Sequence, residues 1–290
     1  MARNLVVEVG HRSLNKRGEE ICGDWAKVTR TKDRTLLVVS DGLGSGVKAN
    51  ILATLTTEIA TSMINHGAAI EQMVETIAAT LPICKLRRIA YATFTVLHIT
   101  NGVEAYLVEY DNPPLFLMRG GRLVDLPRTQ RSIAGRVVSE ATFDVHEDDY
   151  LVCVSDGVIH AGVGGSLALG WSREGVGRFL TEVVAGKPSA HTLAETLIRR
   201  CNALYEGSPG DDVTVAATRV RPATYLTILT GPPSQRASDA EVVRRFVEAP
   251  GRKVICGGTT ANIAARVPQR YVDPLPLMEG SDDVPPAAWL

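Results

Sequence analysis

The chain has 290 residues, 45% of them hydrophobic and 22% charged, with a formal net charge of −1. That composition supports a buried core in one large or two small domains. It excludes a strongly basic nucleic-acid binder and a polyanionic tail protein.

In chain order, residues 4–10 read as a strand, the polar stretch 11–20 as a loop and 22–30 as a second strand. The apolar run Leu36-Leu37-Val38-Val39 predicts a strand over 34–41 that is buried on both faces. Gly42-Leu43-Gly44-Ser45-Gly46 is a turn whose backbone needs freedom. A helix free of Gly and Pro follows over 47–66, and a second over 69–81 stops at Pro82. Strands over 87–99 and 103–110 are joined by Asn101-Gly102, a strong hairpin signal. After the turn Asp111-Asn112-Pro113-Pro114, residues 115–119 and 122–126 form another hairpin around Gly120-Gly121. A buried strand is expected over 149–155, helices over 173–184 and 190–205, and a last strand over 213–220.

Near Arg221-Pro222 the order changes to strand 224–230, helix 238–248, strand 252–256 and helix 259–266. This βαβα pattern differs from the β-rich body before it, and the tail from 267 is proline-rich without periodicity. The expected domains are therefore 1–220 and a small C-terminal α/β unit, 221–290. Two strands and two helices are too few to close a core alone. Leu226, Ile228, Val242, Phe246, Val254 and Ile255 are thus expected to pack against the body or a second copy. Cys22, Cys84, Cys153, Cys201 and Cys256 form no CxxC pair. A reducing compartment is therefore expected rather than a disulfide framework or thiolate zinc site. No apolar run reaches about 18 residues and the first residues lack a signal-peptide core. The expectation is a cytoplasmic protein that engages neither membrane nor nucleic acid.

The most informative feature is a near-repeat. Leu36-Leu37-Val38-Val39-Ser40-Asp41-Gly42 resembles Leu151-Val152-Cys153-Val154-Ser155-Asp156-Gly157: each is a buried strand that delivers Asp-Gly at its C-terminal end. Gly210-Asp211-Asp212-Val213-Thr214-Val215 inverts the order and opens a strand with the acids. If that strand runs antiparallel to the others, the acidic ends meet on one rim, with Asp24 as a fourth candidate. Each like-charge pair at about 4 Å costs roughly 4 kcal/mol at an effective dielectric near 20. Such a rim must be protonated or filled by cations. Oxygen-only ligands favour hard ions, Mg²⁺ or Mn²⁺ before Ca²⁺. A carboxylate bridging two of them makes a hydrolytic site for phosphate. Any single Asp-Gly is more often a plain turn; it is the repetition at strand ends that points to metal. The glycine loop fits neither a dinucleotide fingerprint, with Val47 where Gly is needed, nor a phosphate-binding Walker loop, with Ala49 after Lys48.

Gly23-Asp24, Ser40-Asp41-Gly42, Ser155-Asp156-Gly157 and Gly210-Asp211-Asp212-Val213-Thr214 together resemble the motif series of the metal-dependent protein phosphatases (PPM family). The bacterial stage II sporulation protein E-like branch is the most similar, over about residues 5–220. The resemblance implies an α+β fold, a two-sheet antiparallel β-sandwich flanked by helices. It also implies two Mn²⁺ or Mg²⁺ ions at one rim, and a metal-activated water that hydrolyses phosphoserine or phosphothreonine on a bacterial regulatory protein. Small anti-sigma-antagonist-like regulators are the implied substrates. Carried over by position, Asp41 resembles the bridging ligand and Gly42 offers a carbonyl. Asp156 and Asp211 resemble ligands of the other ion, and Asp24 an acid reaching metal directly or through water. Asp212 resembles a supporting acid, and Thr214 a support for the strand. The His that the family's eukaryotic branch carries after Asp-Gly is replaced by Leu43, as in bacterial members. Its N-terminal phosphate-gripping Arg has no secure match, and Arg12, Lys16 and Arg17 are candidates by charge alone. The alternatives are a catalytically silent phosphoprotein-binding module and a small-molecule phosphatase.

Four further features carry weaker signals. Arg119, Arg122, Arg128, Arg131 and Arg136 are read as solvated hairpin faces before a dock for an acidic partner. Segment 158–171 is a glycine-rich candidate flap. His160 is a candidate acid, although a lone His is more often packed or simply exposed. The start of the 47–66 helix is a candidate phosphate cradle. In Cys256-Gly257-Gly258-Thr259-Thr260, a threonine N-cap is the plainer reading before an anion site.

Overall fold

A computed structural model describes residues 5–80, 92–165 and 167–267 in full, together with the backbone of 273–274 and 288–289. The chain divides into two units, Met1–Pro222 and Ala223–Leu290. The strands of the first unit are β1 (Leu5–Leu14), β2 (Asp24–Arg30), β3 (Arg34–Gly42), β4 (Ala92–Thr100), β5 (Glu104–Tyr110), β6 (Phe116–Arg119), β7 (Arg122–Val124), β8 (Thr129–Ile133), β9 (Arg136–Asp144), β10 (Tyr150–Val154) and β11 (Val213–Pro222). They form two sheets, β1-β11-β10-β6-β7 and β2-β3-β4-β5-β9-β8, in which each paired neighbour is antiparallel. The helices are α1 (Gly46–Asn65), α2 (Ile70–Thr80), α3 (Asp156–Ile159), α4 (Ser172–Val184) and α5 (Ala190–Leu204).

Two-residue alternation along the strands builds the layers. Leu37 and Val39 of β3 face Leu151 and Cys153 of β10 in a core between the sheets. Leu36 and Val38 point the other way, onto Ala60 of α1 and Met73 and Ile77 of α2. Val152 and Val154 point to α4 and α5, where they meet Val176, Leu180, Leu193 and Leu197. A helical layer on each outer face explains why these antiparallel strands read as continuous apolar runs. Each fully buried Leu or Val contributes about 1.5–3 kcal/mol. The result is the expected sandwich of two antiparallel sheets between two helical layers.

Three elements differ from expectation. β1 runs on through Ser13 and Leu14, which the sequence reads as loop, because β11 pairs with it to the end, Ser13 opposite Thr214 and Leu14 opposite Val213. The β8–β9 hairpin is additional. β8 buries only Ile133, so apolar alternation does not announce it. Asp156 opens the short helix α3 rather than ending a strand. The expectations at residue 81, over 87–91 and for most of the tail lie outside the described residues.

The second unit contains β12 (Leu226–Thr230), α6 (Asp239–Glu248), β13 (Arg252–Cys256) and α7 (Gly258–Arg266). β12 and β13 pair in parallel, Leu226 opposite Arg252. Further on, the backbone of 273–274 pairs antiparallel with 288–289. Val243 and Phe246 of α6 are buried, whereas Leu226, Ile228 and Val254 are exposed. These exposed apolar side chains are the ones expected to meet the body or a second copy. Among the described residues no helix is long and apolar enough to cross a membrane.

Candidate active site

The acidic positions come from four chain segments and both sheets. Asp24 opens β2, and Asp41 lies near the end of β3 directly opposite it in the ladder. Asp156 follows β10 at the first position of α3, and Asp211 and Asp212 immediately precede β11. Because β10 and β11 are antiparallel, with Val154 opposite Val215, the end of one meets the start of the other. The Ser155 N–H donates to the Thr214 carbonyl (3.0 Å), and the Thr214 N–H donates to Ser155 Oγ (2.8 Å). Thr214 Oγ1 also lies 2.8 Å from Ser13 Oγ on β1. These bonds lock the segments that carry Asp156 and Asp211. The hydroxyls of Ser155 and Thr214 also act on Asp24, favouring its ionised form.

The glycines of the near-repeat have a packing reason. A Cβ on Gly42 would lie 2.0 Å from the Ala49 carbonyl of α1, and a Cβ on Gly157 would lie 2.0 Å from the Asp212 carbonyl. Each Asp-Gly pair thus lets another backbone press against the strand end beside the acid.

The electrostatics are strained in one direction. Burial raises the Asp24 carboxyl, and Asp212 and Asp156 add to the effect against the opposing hydroxyls. Burial also raises Asp41, reinforced by Asp24, Asp156 and Asp211. Asp156 rises through burial and through Asp211. Asp24 Oδ2 and Asp212 Oδ2 are buried with no partner among the described residues. Such orphaned oxygens normally mark a missing partner. Among the described residues, no three His, Cys, Asp or Glu side chains close on one point as a finished ligand shell. The donor chemistry still fits a hard divalent ion: all oxygen, anionic, clustered and partly unpartnered.

The cationic candidates separate clearly. The Arg12 guanidinium lies 2.6 Å from His191 Nε2 on α5, which engages it at that helix. Arg17 donates its backbone N–H to the Pro209 carbonyl (2.8 Å). Lys16 reaches the rim, with Nζ 3.6 Å from Asp211 Oδ1. Its backbone N–H donates to Asp212 Oδ1 (3.0 Å), so the supporting acid of the sequence reading clamps this segment.

Glu19 was not legible in the sequence. It accepts a hydrogen bond from Ser45 Oγ (2.8 Å), and its carboxylate lies against Gly46 at the start of α1. The expected phosphate cradle is thus already faced by a carboxylate. Glu19 sits in a charged, non-periodic stretch, and no local signal marks it. His160 is exposed, one turn beyond Asp156, and its charge favours the ionised form of that acid. The glycine-rich segment 158–171 that contains it is pinned by buried Val158, Ala161 and Trp171, with Ser166 outside the described residues. Of the five arginines, Arg119 pairs with Asp149, Arg128 with Glu109, Arg131 with Glu71 and Glu140, and Arg136 stacks over Tyr110. Arg122 is exposed. Most of this cluster is therefore structural rather than simply solvated. In the second unit, Gly257 caps α7 without a side-chain bond, so neither Thr259 nor Thr260 serves as the N-cap.

Residues 31–221 match the family model of stage II sporulation protein E. No curated protein matches the chain. Among solved structures, the phosphatase domain of the cell fate determinant SpoIIE from Bacillus subtilis is similar at 18% identity. The alignment covers 78% of this chain and 96% of that one, with a TM-score of 0.54. The RsbU and RsbW domains of a Mycobacterium tuberculosis protein are similar at 17% identity, over 85% of this chain and 69% of that one, with a TM-score of 0.63. RsbX, solved in complex with magnesium, is similar at 19% identity, over 74% and 95%, with a TM-score of 0.53. With the match spanning most of the β-sandwich and the rim acids Asp41, Asp156, Asp211 and Asp212, the chain belongs to the stage II sporulation protein E family of PP2C-type protein phosphatases.

Proposed function

We propose that the chain hydrolyses phosphoserine or phosphothreonine on a bacterial regulatory protein, with Asp24, Asp41, Asp156, Asp211 and the Gly42 carbonyl holding two Mn²⁺ or Mg²⁺ ions. The observation that carries this reading is the uncompensated rim. Three carboxyls there are raised by burial and by one another, and two buried carboxylate oxygens lack partners among the described residues. When bound, such ions supply charge for phosphoryl oxygens and a nucleophilic water at neutral pH. The chain's own groups do the positioning. Ser155 and Thr214 orient Asp24, the β2–β3 ladder sets Asp41 against it, and Asp212 fixes the backbone of Lys16. Asp41 interacts with Asp24, Asp156 and Asp211 alike, which suits it to a bridging place.

Family membership supports a phosphorylated regulator, of the small anti-sigma-antagonist-like kind, as the partner. Cys22, Cys153, Cys201 and Cys256 are free thiols, which supports a reducing, cytoplasmic setting. Residues 223–290 then serve regulation or partner binding. The test is turnover of phosphoserine-bearing regulators encoded beside this chain against nucleotides and sugar phosphates. Hydrolysis of a regulator supports the reading. Turnover confined to the small molecules would replace it with a small-molecule phosphatase.

A further inference from the structure

We propose that Lys16 is a resident counter-ion of Asp211, one that a divalent ion must displace, and that it thereby weakens ion uptake at the Asp156–Asp211 side of the rim. The inference rests on the metal reading above. The segment that carries Lys16 is fixed at its backbone: the Lys16 N–H donates to Asp212 Oδ1 (3.0 Å) and the Arg17 N–H to the Pro209 carbonyl (2.8 Å). Both partners belong to the loop that presents Asp211, so the two segments are clamped together and only the lysine side chain is left to move.

That side chain is held by charge rather than by a directed bond. Nζ stands 3.6 Å from Asp211 Oδ1, beyond normal hydrogen-bond length, and the two side chains are 37% and 44% exposed. Asp211 Oδ1 is meanwhile bonded by the Asp212 N–H at 3.0 Å. A compact charge on a flexible four-carbon stem can withdraw into water at small cost. While it stays, it opposes any cation arriving at Asp211, and no backbone movement is needed to release it.

Two measurements on the full chain test this. The first is calorimetric titration with MnCl₂ of the wild type, Lys16→Gln and Lys16→Arg. The backbone clamp survives both substitutions. Lys16→Gln should bind Mn²⁺ about threefold tighter, the size of a partly exposed ion pair, and Lys16→Arg should match the wild type. The second is amine labelling of the wild type read by mass spectrometry, where Mn²⁺ should raise modification of Lys16. Equal or weaker binding by Lys16→Gln, or labelling that does not rise, would overturn the proposal alone. A wild-type chain that takes up no Mn²⁺ would instead overturn the metal reading, and this inference with it.

Discussion

Asp24 and Asp41 stand directly opposite each other across β2 and β3, two carboxyls brought together at one rim. Folding places them there against their own repulsion, and burial raises both. The protonated forms are favoured in the folded chain, so the stability they confer is complete below about pH 4, the ordinary carboxylate range. It is lost as pH rises through the folded values, about 7 for Asp24 and about 9 for Asp41. In EDTA, thermal unfolding should therefore show a midpoint that falls across that window. Asp41→Asn should flatten the fall and raise the midpoint at pH 8 by about 2–4 °C, equivalent to about 1 kcal/mol in a unit of this size. A midpoint independent of pH would contradict this picture of the rim.

The two glycines beside the acids are expected to be intolerant. Gly42→Ala drives a methyl into the Ala49 carbonyl, and Gly157→Ala drives one into the Asp212 carbonyl. Each should cost about 1–3 kcal/mol or more in urea unfolding. Gly120→Ala, where a Cβ meets open space, serves as a comparison whose cost comes from its positive φ alone. Glycine-to-alanine changes at 42 and 157 that leave the urea midpoint unmoved would show that the strand ends are not packed as described.

Arg128 and Glu109 form the most enclosed of the arginine pairs, with side chains 16% and 5% exposed. Glu109 also accepts the Leu115 N–H, and Arg128 bonds the carbonyls of Leu126 and Leu115. Arg128→Ala leaves a buried carboxylate without its cation and should cost about 3–5 kcal/mol. Arg122→Ala, on an exposed hairpin, should stay within about 0.5 kcal/mol. Equal stability of the two variants would contradict the structural role given to Arg128.

How much of this was legible follows from where the signal lies. The rim could be read because each acid ends or opens an apolar run, and strand ends converge once the pairing is antiparallel. β8 could not, because four of its five residues are exposed and only Ile133 is buried. Its turn is Ala134-Gly135, both at positive φ. Asn-Gly, which marks the β4–β5 hairpin, announces such a turn far more strongly. The extension of β1 was hidden for a related reason. His11, Arg12 and Ser13 are exposed, and only the register with β11 makes them strand. Lys16 was visible as a charge, but its approach to Asp211 depends on a contact nearly 200 residues away in sequence.

That β11 register also bears on where a truncation should fall. Leu5 pairs with Pro222, so a cut after residue 220 removes paired strand, and the better truncation follows Pro222. Residues 1–222 are predicted to be soluble, to unfold cooperatively and to keep metal-dependent phosphatase activity within about threefold of the full chain, half a decade or roughly 0.7 kcal/mol. An insoluble or inactive product would make residues 223–290 part of the catalytic fold.

The central claim is that the carboxylate rim works as a divalent-metal phosphatase site. Its most direct test is hydrolysis of p-nitrophenyl phosphate by the full chain, first in EDTA and then with Mn²⁺ returned, beside Asp41→Ala under the same conditions. The wild type should fall to background in EDTA and recover with Mn²⁺, and Asp41→Ala should remain at least about 100-fold slower, some 2.7 kcal/mol of lost barrier reduction, at every Mn²⁺ concentration. Full turnover in EDTA, or an Asp41→Ala variant as fast as the wild type, would contradict it.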